Sequence, residues 1–265
     1  MAETAEHAVL GGVRDGASSG RARIRLAGVM IDNVSMTEAV ERIESLISQA
    51  EPGYVVTPNA DVMVKLHRDD AFQRIYDRAQ LVVPDGMPLL WAARCQGTPL
   101  KERVAGSDFF IELCQTSARR GYRVFFLGAQ EGVAARASEK LRRAYPGLQV
   151  VGTYAPPWGF DQDKEECRRI VEMIREARPQ LLFVGLGSPK QEQWIASYYR
   201  QCGVPVSMAV GASFDFAAGK VRRAPQWMQR AGCEWFWRLM KEPARLWKRY
   251  LIDDPKFFWL VATKR

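Results

Sequence analysis

The stretch Leu181-Leu-Phe-Val-Gly185-Leu-Gly187-Ser-Pro-Lys-Gln191-Glu decides the fold. An apolar β-type run ends in two turn-forming glycines, and Lys190 to Gln201 then carries helical spacing, so the unit is strand, tight turn, helix. The same unit recurs outward in both directions. Upstream, Tyr54 to Thr57, Leu81 to Val83, Val124 to Gly128 and Gln149 to Thr153 are apolar runs bounded by turn residues; downstream, Val206 to Val210 is another. Helical patterns at Glu131 to Tyr145 and Lys164 to Ala177 lie between them, and Ser35-Met-Thr-Glu38 has the form of a capping box ahead of Val40, Ile43 and Ile47. Strands alternating with helices predict an α/β fold, a parallel sheet with helices on both faces.

Composition supports one large core. The chain has 265 residues, 47% of them hydrophobic and 26% charged, which excludes wholesale disorder and a disulfide-stapled miniature. Five widely spaced Cys, an odd number, with only two His, write neither a disulfide framework nor a zinc site, and a reducing compartment fits best. Residues 1 to 20 are rich in Gly, Ser and Ala and read as a flexible leader; they lack the basic start and the apolar run of about 7–15 residues of a secretory signal. No stretch approaches the roughly 18 uninterrupted apolar residues of a membrane span.

The net charge of +8 is not spread evenly. Residues 220 to 265 hold 12 Lys and Arg against 4 Asp and Glu, whereas the preceding 219 residues hold 26 of each. Five of the eight Trp fall in the same tail. The expected organisation is therefore a leader, a core over 21 to 219, and a basic, Trp-rich appendage over 220 to 265. Within the appendage Met228, Ala231, Trp235 and Leu239 follow helical spacing, with Arg230, Arg238 and Lys241 offset from them. Pro243 interrupts that helix and opens a second, Pro243 to Leu251, giving two short cationic helices. Clustered Trp and Phe among Lys and Arg exceed what solubility requires, and an anionic membrane surface is the preferred partner over nucleic acid, because the core is neutral.

Ligands of open α/β sheets sit beyond the carboxyl ends of the strands, so polar residues there are the candidates. Val55-Val-Thr57-Pro-Asn59 leaves Thr57 and Asn59 at a strand tip, and Leu81-Val-Val-Pro84-Asp85-Gly86 delivers a carboxylate into a turn before a helix. Asp85 is the leading candidate, with turn or helix-cap chemistry as its alternative. The turns at Gly128 and at Gly185 and Gly187 allow close backbone approach beside helix N-termini, which suits a phosphate and equally suits a ligand-free connection. Asp161-Gln-Asp163 has a metal-binding D-x-D form but stands at a helix start, where capping is the better reading. Asp69-Asp70 and Asp253-Asp254 read the same way, and His67 has no metal-binding partner near it in sequence. No nucleophile elbow, zinc-protease helix or P-loop occurs.

Seven motifs occur in order: Thr57-Pro-Asn-Ala, Val83-Pro-Asp-Gly-Met-Pro, Val184-Gly-Leu-Gly-Ser-Pro-Lys-Gln-Glu, Gly211-Ala-Ser-Phe-Asp-Phe-Ala-Ala-Gly, Arg223-Ala-Pro-Gln-Trp-Met, Glu234-Trp-Phe-Trp-Arg-Leu and Glu242-Pro-Ala-Arg-Leu-Trp-Lys-Arg-Tyr. Together they resemble the WecG/TagA/CpsF family of bacterial glycosyltransferases, glycosyltransferase family 26, from about residue 26 to 255. The resemblance implies a Rossmann-like core and an inverting transfer of a sugar from a UDP-sugar to a sugar on a polyprenyl diphosphate, in teichoic acid, capsule or exopolysaccharide synthesis. It implies no metal and no cofactor, a peripheral location on the cytoplasmic face of the membrane, and an appendage that closes over the donor diphosphate. By the same resemblance Asp85 matches the general base, Thr57 and Asn59 lie at the reacting sugar, and Gln191 joins Gly128, Gly185 and Gly187 at the donor. Arg238 and Arg245 match appendage arginines that approach the diphosphate; a third falls at Lys248, a departure, with Arg249 beside it. UDP-N-acetylmannosamine or its uronic acid is the expected donor and UDP-glucose the runner-up. A nucleotide- or nucleic-acid-binding protein without catalysis is the rival of another class, and the sequence is compatible with a homo-oligomer.

Overall fold

A computed structural model describes residues 22–225, 227–228 and 232–263, with every side chain among them except that of Arg245. The expected leader lies outside the described residues. The chain enters through an antiparallel hairpin, β1 (Arg23–Leu26) and β2 (Val29–Asp32). The sequence reading did not anticipate it. All six expected strands form: β3 (Gly53–Val56), β4 (Leu81–Val82), β5 (Arg123–Gly128), β6 (Gln149–Tyr154), β7 (Leu181–Gly185) and β8 (Val206–Ala209). They pair in parallel in the order β4-β3-β8-β7-β5-β6, a Rossmann-like sheet. The hairpin is tied to its edge by Asp32, whose carboxylate accepts from the Val82 N–H at 2.8 Å and from Arg23 Nε at 2.9 Å.

Helices cover both faces. On one lie α1 (Met36–Gln49), α5 (Gly106–Arg120), α6 (Val133–Ala144) and α9 (Ser213–Ala217), packed on β-strand side chains such as Val124, Phe126 and Phe183. On the other lie α2 (Ala60–Arg68), α3 (Asp70–Asp77), α4 (Met87–Cys95), α7 (Lys164–Ala177) and α8 (Lys190–Cys202). Ser35 and Glu38 form the expected capping box on α1, each bonded to the other's backbone N–H. Aromatic rings lock the first face: Phe110 meets Phe183 edge-on at 4.9 Å between centroids, and Phe126 meets Phe214 at 5.0 Å. Each such pair adds about 0.5–1.5 kcal/mol beyond area burial. No disulfide is present among the described residues.

After β8 the chain turns into the appendage, α10 (Glu234–Lys241), α11 (Pro243–Lys248), a π-helical stretch Arg249–Asp253 and α12 (Asp254–Thr263). Two expectations are corrected here. The first helix starts at Glu234 instead of running through from Met228, because Gly232 has φ +74°, a left-handed conformation no helix accommodates, and a Cβ there would lie 2.9 Å from Met87. Ala231 and Arg230 lie outside the described residues. The tail also does not end as two cationic helices: α12 runs on directly from the π-helical stretch through Pro255, and Phe257, Leu260 and Val261 are buried in the core cluster that α2 shares. The appendage is therefore anchored at its far end by apolar packing.

β5 leads outward to β6 while the adjacent β7 leads the other way to β8, so the crevice between their carboxyl ends is the point where the strand order reverses. Gly128 and Gly185 face each other there, and the Ala129 N–H donates to the Gly185 carbonyl at 2.8 Å. Gly128 has φ +113°, and a Cβ on it would strike that carbonyl. Gly128→Ala is expected to lower stability by about 2–3 kcal/mol. Urea unfolding measures this, and an unchanged midpoint would contradict the close packing.

Candidate functional site

A cavity of about 1700 Å³ opens over the carboxyl ends of β3, β4, β7 and β8, with the appendage as its far wall. It exceeds the roughly 300–1,000 Å³ of a typical small-ligand pocket, so it has room for two substrates together. Thr57, Asn59, Asp85, Gly185, Gly187, Gln191, Arg238 and Arg249, expected from sequence, all line it. The sheet explains why: β3 and β4 are neighbours whose next residues are the Pro-bounded turns, so Thr57 and Asp85 emerge side by side.

Asp85 is half-buried in the turn between β4 and α4, held by its own N–H bonding the Pro58 carbonyl at 2.9 Å. Gly106, at the first turn of α5, fixes the geometry: a Cβ on it would lie 3.1 Å from Thr57 Oγ1 and 3.5 Å from Asp85 Oδ2. Both side chains thus converge on the start of one helix. Burial first, and then the nearby Glu234 carboxylate, push the Asp85 carboxyl up to about 6, against the pull of Arg103, the Gly106 N–H and Arg238. A carboxylate at that value is ionised at neutral pH yet is a stronger base than an ordinary Asp.

Asn59 serves two structures at once. Its Oδ1 caps α2, accepting from the Val62 N–H at 3.2 Å, and also accepts from Arg249 Nη2 at 3.2 Å. Arg249 Nε further approaches Asp61 Oδ2 at 3.6 Å, so the appendage is latched to the tip of β3. Gln191 is buried, its Oε1 accepting from the Gly211 N–H at 3.0 Å and its Nε2 donating to Glu192 Oε1 at 3.0 Å. It braces the loop after β8. Gly128 is packed against Gly185 and lies outside the lining of the cavity. Lys248 is exposed and also outside the lining; the next residue, Arg249, is the one that turns inward, since successive helical residues point to different faces. The Arg245 side chain lies outside the described residues.

Arg238 projects from α10 into the cavity with its guanidinium 5.8 Å over the Phe216 ring. Its Nε is buried with no hydrogen-bond partner among the described residues, which leaves a donor for an anion. The two D-x-D carboxylates separate. Asp163 caps α7, accepting from the Glu165 and Glu166 N–H groups at 2.9 and 3.2 Å, as expected. Asp161 does not cap; it pairs with Lys190 Nζ at 2.7 Å. No cluster of three or more metal-ligating side chains occurs among the described residues.

Several lining residues escaped the sequence reading. Arg103 lies in the connection between α4 and α5, which returns past the end of β4 because the Val104 N–H bonds the Pro84 carbonyl at 3.0 Å. Only the pairing of that loop with the β4 turn brings it to the site. Glu234 reaches the cavity from the first turn of α10 and Glu192 from α8, where burial raises its carboxyl. Asp254 was read as a capping residue. Its carboxyl lines the cavity with Oδ1 buried and without a hydrogen-bond partner among the described residues, and burial pushes it up to about 6.

Comparison with known proteins gives the family. Residues 24–265 match the model of the glycosyl transferase WecG/TagA/CpsF family. The chain is 31% identical over 227 residues, 85% of each chain, to the N-acetylglucosaminyldiphosphoundecaprenol N-acetyl-beta-D-mannosaminyltransferase of Bacillus spizizenii. It is 31% identical over 233 residues, 88% of each chain, to the Bacillus subtilis protein of the same name. To the one from Staphylococcus aureus strain MW2 it is 29% identical over 251 residues, 93% of this chain and 95% of that one.

Proposed function

The chain belongs to the WecG/TagA/CpsF family of glycosyl transferases, and from that premise we propose that it transfers N-acetylmannosamine or a close relative from a UDP-sugar to N-acetylglucosamine carried on a polyprenyl diphosphate, with inversion and without a metal. One observation carries the reading: a carboxylate at the tip of β4, without an ion-pair partner among the described residues, shares a cavity with an unpartnered arginine nitrogen from the appendage. The names of the relatives supply the acceptor and the mannosamine donor.

The chemistry follows from the wall of the cavity. Asp85 takes the proton of the acceptor hydroxyl as its oxygen attacks the anomeric carbon, and the bond from that carbon to the UDP oxygen breaks. The departing diphosphate carries the growing negative charge. The N-terminus of α8 behind Gly187 and Ser188, together with Arg238, lies where that charge is stabilised. Asn59 and Thr57 border the reacting sugar on the β3 side.

A lipid-linked acceptor also accounts for the surface. Trp227, Trp235, Met240, Trp247, Leu251 and Trp259 are all exposed, and all lie in the basic appendage. No helix among the described residues is long and apolar enough to cross a membrane. The appendage is suited to lie on an anionic membrane surface, with cytoplasmic-face docking as the proposed location. The rival reading of a nucleic-acid arm is weakened because Arg238 and Arg249 face the cavity and Arg223 is bonded to Asp108.

The test is a donor panel of UDP-N-acetylmannosamine, its uronic acid and UDP-glucose, offered with an N-acetylglucosaminyl diphosphate lipid in excess EDTA. Product from a mannosamine donor at the rate seen without EDTA is expected. Loss of activity rescued by Mg²⁺ or Mn²⁺ would reverse the metal-free reading, and preference for UDP-glucose would replace the donor.

A further inference from the structure

The corner of the cavity around Asp85 holds more carboxylates than a single-base reaction needs. Asp85 comes from the β4 turn, Asp108 from the first turn of α5, and Glu234 from the first turn of α10. Two guanidinium groups sit among them. Arg223 bonds Asp108 through Nη1 and, at 3.2 Å, through Nη2, and its Nη2 is 3.9 Å from Glu234 Oε2. Arg103 spans the same two acids, with Nη1 3.6 Å from Glu234 Oε2 and Nη2 3.8 Å from Asp108 Oδ2. Asp85 is the acid left out: no cation lies within 4.0 Å of its carboxylate among the described residues. Yet Arg103, Arg223 and Arg238 are all close enough to act on it.

We propose that Glu234 is a positioning residue for the transfer reaction: carried in by the appendage, it engages Arg103 and Arg223 and so keeps their guanidinium groups from neutralising Asp85. The proposal rests on Asp85 being the base. Glu234 is only half-buried and lies on the appendage, whereas Arg103, Asp108 and Asp85 belong to the core. Without the Glu234 carboxylate, Arg103 loses one of the two carboxylates it spans, and its pull on Asp85 is no longer opposed. A base drawn down by arginine is a weaker base, so Glu234 keeps Asp85 basic by occupying the two guanidinium groups.

The groups facing Asp85 fix the sign of the effect. Glu234 raises its carboxyl, while Arg103, the Gly106 N–H and Arg238 lower it; Thr57 is neutral. Removing the Glu234 charge withdraws a repulsive neighbour and releases both arginines toward Asp85. Both changes act downward.

The test uses full-length wild type and Glu234→Gln, each ¹³C-labelled at Asp carboxyls, with the Asp85 signal assigned by Asp85→Asn. Carbon NMR gives the Asp85 titration midpoint without substrate, and the acid limb of kcat/KM gives it during transfer. The expected result is a fall of about one pH unit in Glu234→Gln by both measures, with a lowered plateau rate because the base is weaker. A residue that merely held the appendage would lower the rate at every pH and leave both midpoints in place. If the Gln variant does not fold, Glu234→Asp withdraws the charge by one methylene and is expected to shift both midpoints in the same direction by less. An unmoved or raised NMR midpoint in an enzyme whose turnover depends on Asp85 would overturn the proposal alone. A lowered NMR midpoint beside an unmoved acid limb would overturn the base assignment and the proposal with it.

Discussion

Asp85→Asn is expected to cut turnover by roughly 10²–10⁴-fold while leaving UDP binding and the fold intact. The substitution keeps the size of the side chain, the backbone bond from Asp85 to Pro58, and the contact with Gly106, and removes only the ability to take a proton. Stability should move the other way. The carboxyl is raised to about 6 in the folded chain, above its ordinary value, so its contribution to folding is most favourable at low pH and is lost as pH rises through that window. At pH 7 the native state therefore bears an ionised carboxylate in a site that disfavours it, and Asn relieves that cost. A variant with an equal or higher melting temperature and a collapsed kcat is the signature of a side chain kept for chemistry. Turnover within a few-fold of wild type would remove Asp85 from the role of base.

Arg238→Ala should lower turnover by about 10-fold or more even on a water-soluble, short-chain acceptor. Arg238 stands over Phe216 with a buried, unpartnered Nε, and that geometry prepares it for an anion that arrives with the substrate. If its work were only to attract the membrane, the soluble acceptor would not register its loss, because docking raises local concentration without changing the reaction barrier. Vesicle binding should weaken by only about 1 kcal/mol for the single lost charge. Soluble-acceptor kinetics beside sedimentation with anionic vesicles separate the two jobs. Unchanged kinetics would confine the appendage to docking, and failure of wild type to sediment would remove the membrane surface from the account.

The sheet was legible because its strands are apolar runs stopped by Pro or Gly. Leu181–Gly185 and Lys164–Ala177 fall where their sequences predict at both ends, and the other strands differ by a residue or two at their tips. The hairpin Arg23–Asp32 was not legible: its strands are four residues each, and what secures it is Asp32 reaching the Val82 N–H, a contact no local pattern announces. The last helix was missed for a different reason. The expected appendage stopped with a second cationic helix at Leu251, whereas the chain continues into α12, where Phe257, Leu260 and Val261 pack into the core beside α2. Lys248 and Arg249 illustrate the limit of motif spacing, since Arg249 lines the cavity and its neighbour Lys248 stays outside. Strand tips delivered Thr57, Asn59 and Asp85 from sequence alone. Arg103 and Glu234 became visible only once a loop and an appendage helix far apart in the chain met over Asp85.

The most direct test of the account is the anomeric configuration of the new glycosidic bond, read by NMR from product made with an α-linked UDP-sugar donor and an N-acetylglucosaminyl diphosphate lipid. A single base at the tip of β4, with the diphosphate leaving from the opposite face of the sugar, predicts a β-linked disaccharide on the lipid and one UDP released for each bond formed. An α-linked product, or UDP released with free sugar and no lipid-linked disaccharide, would contradict it.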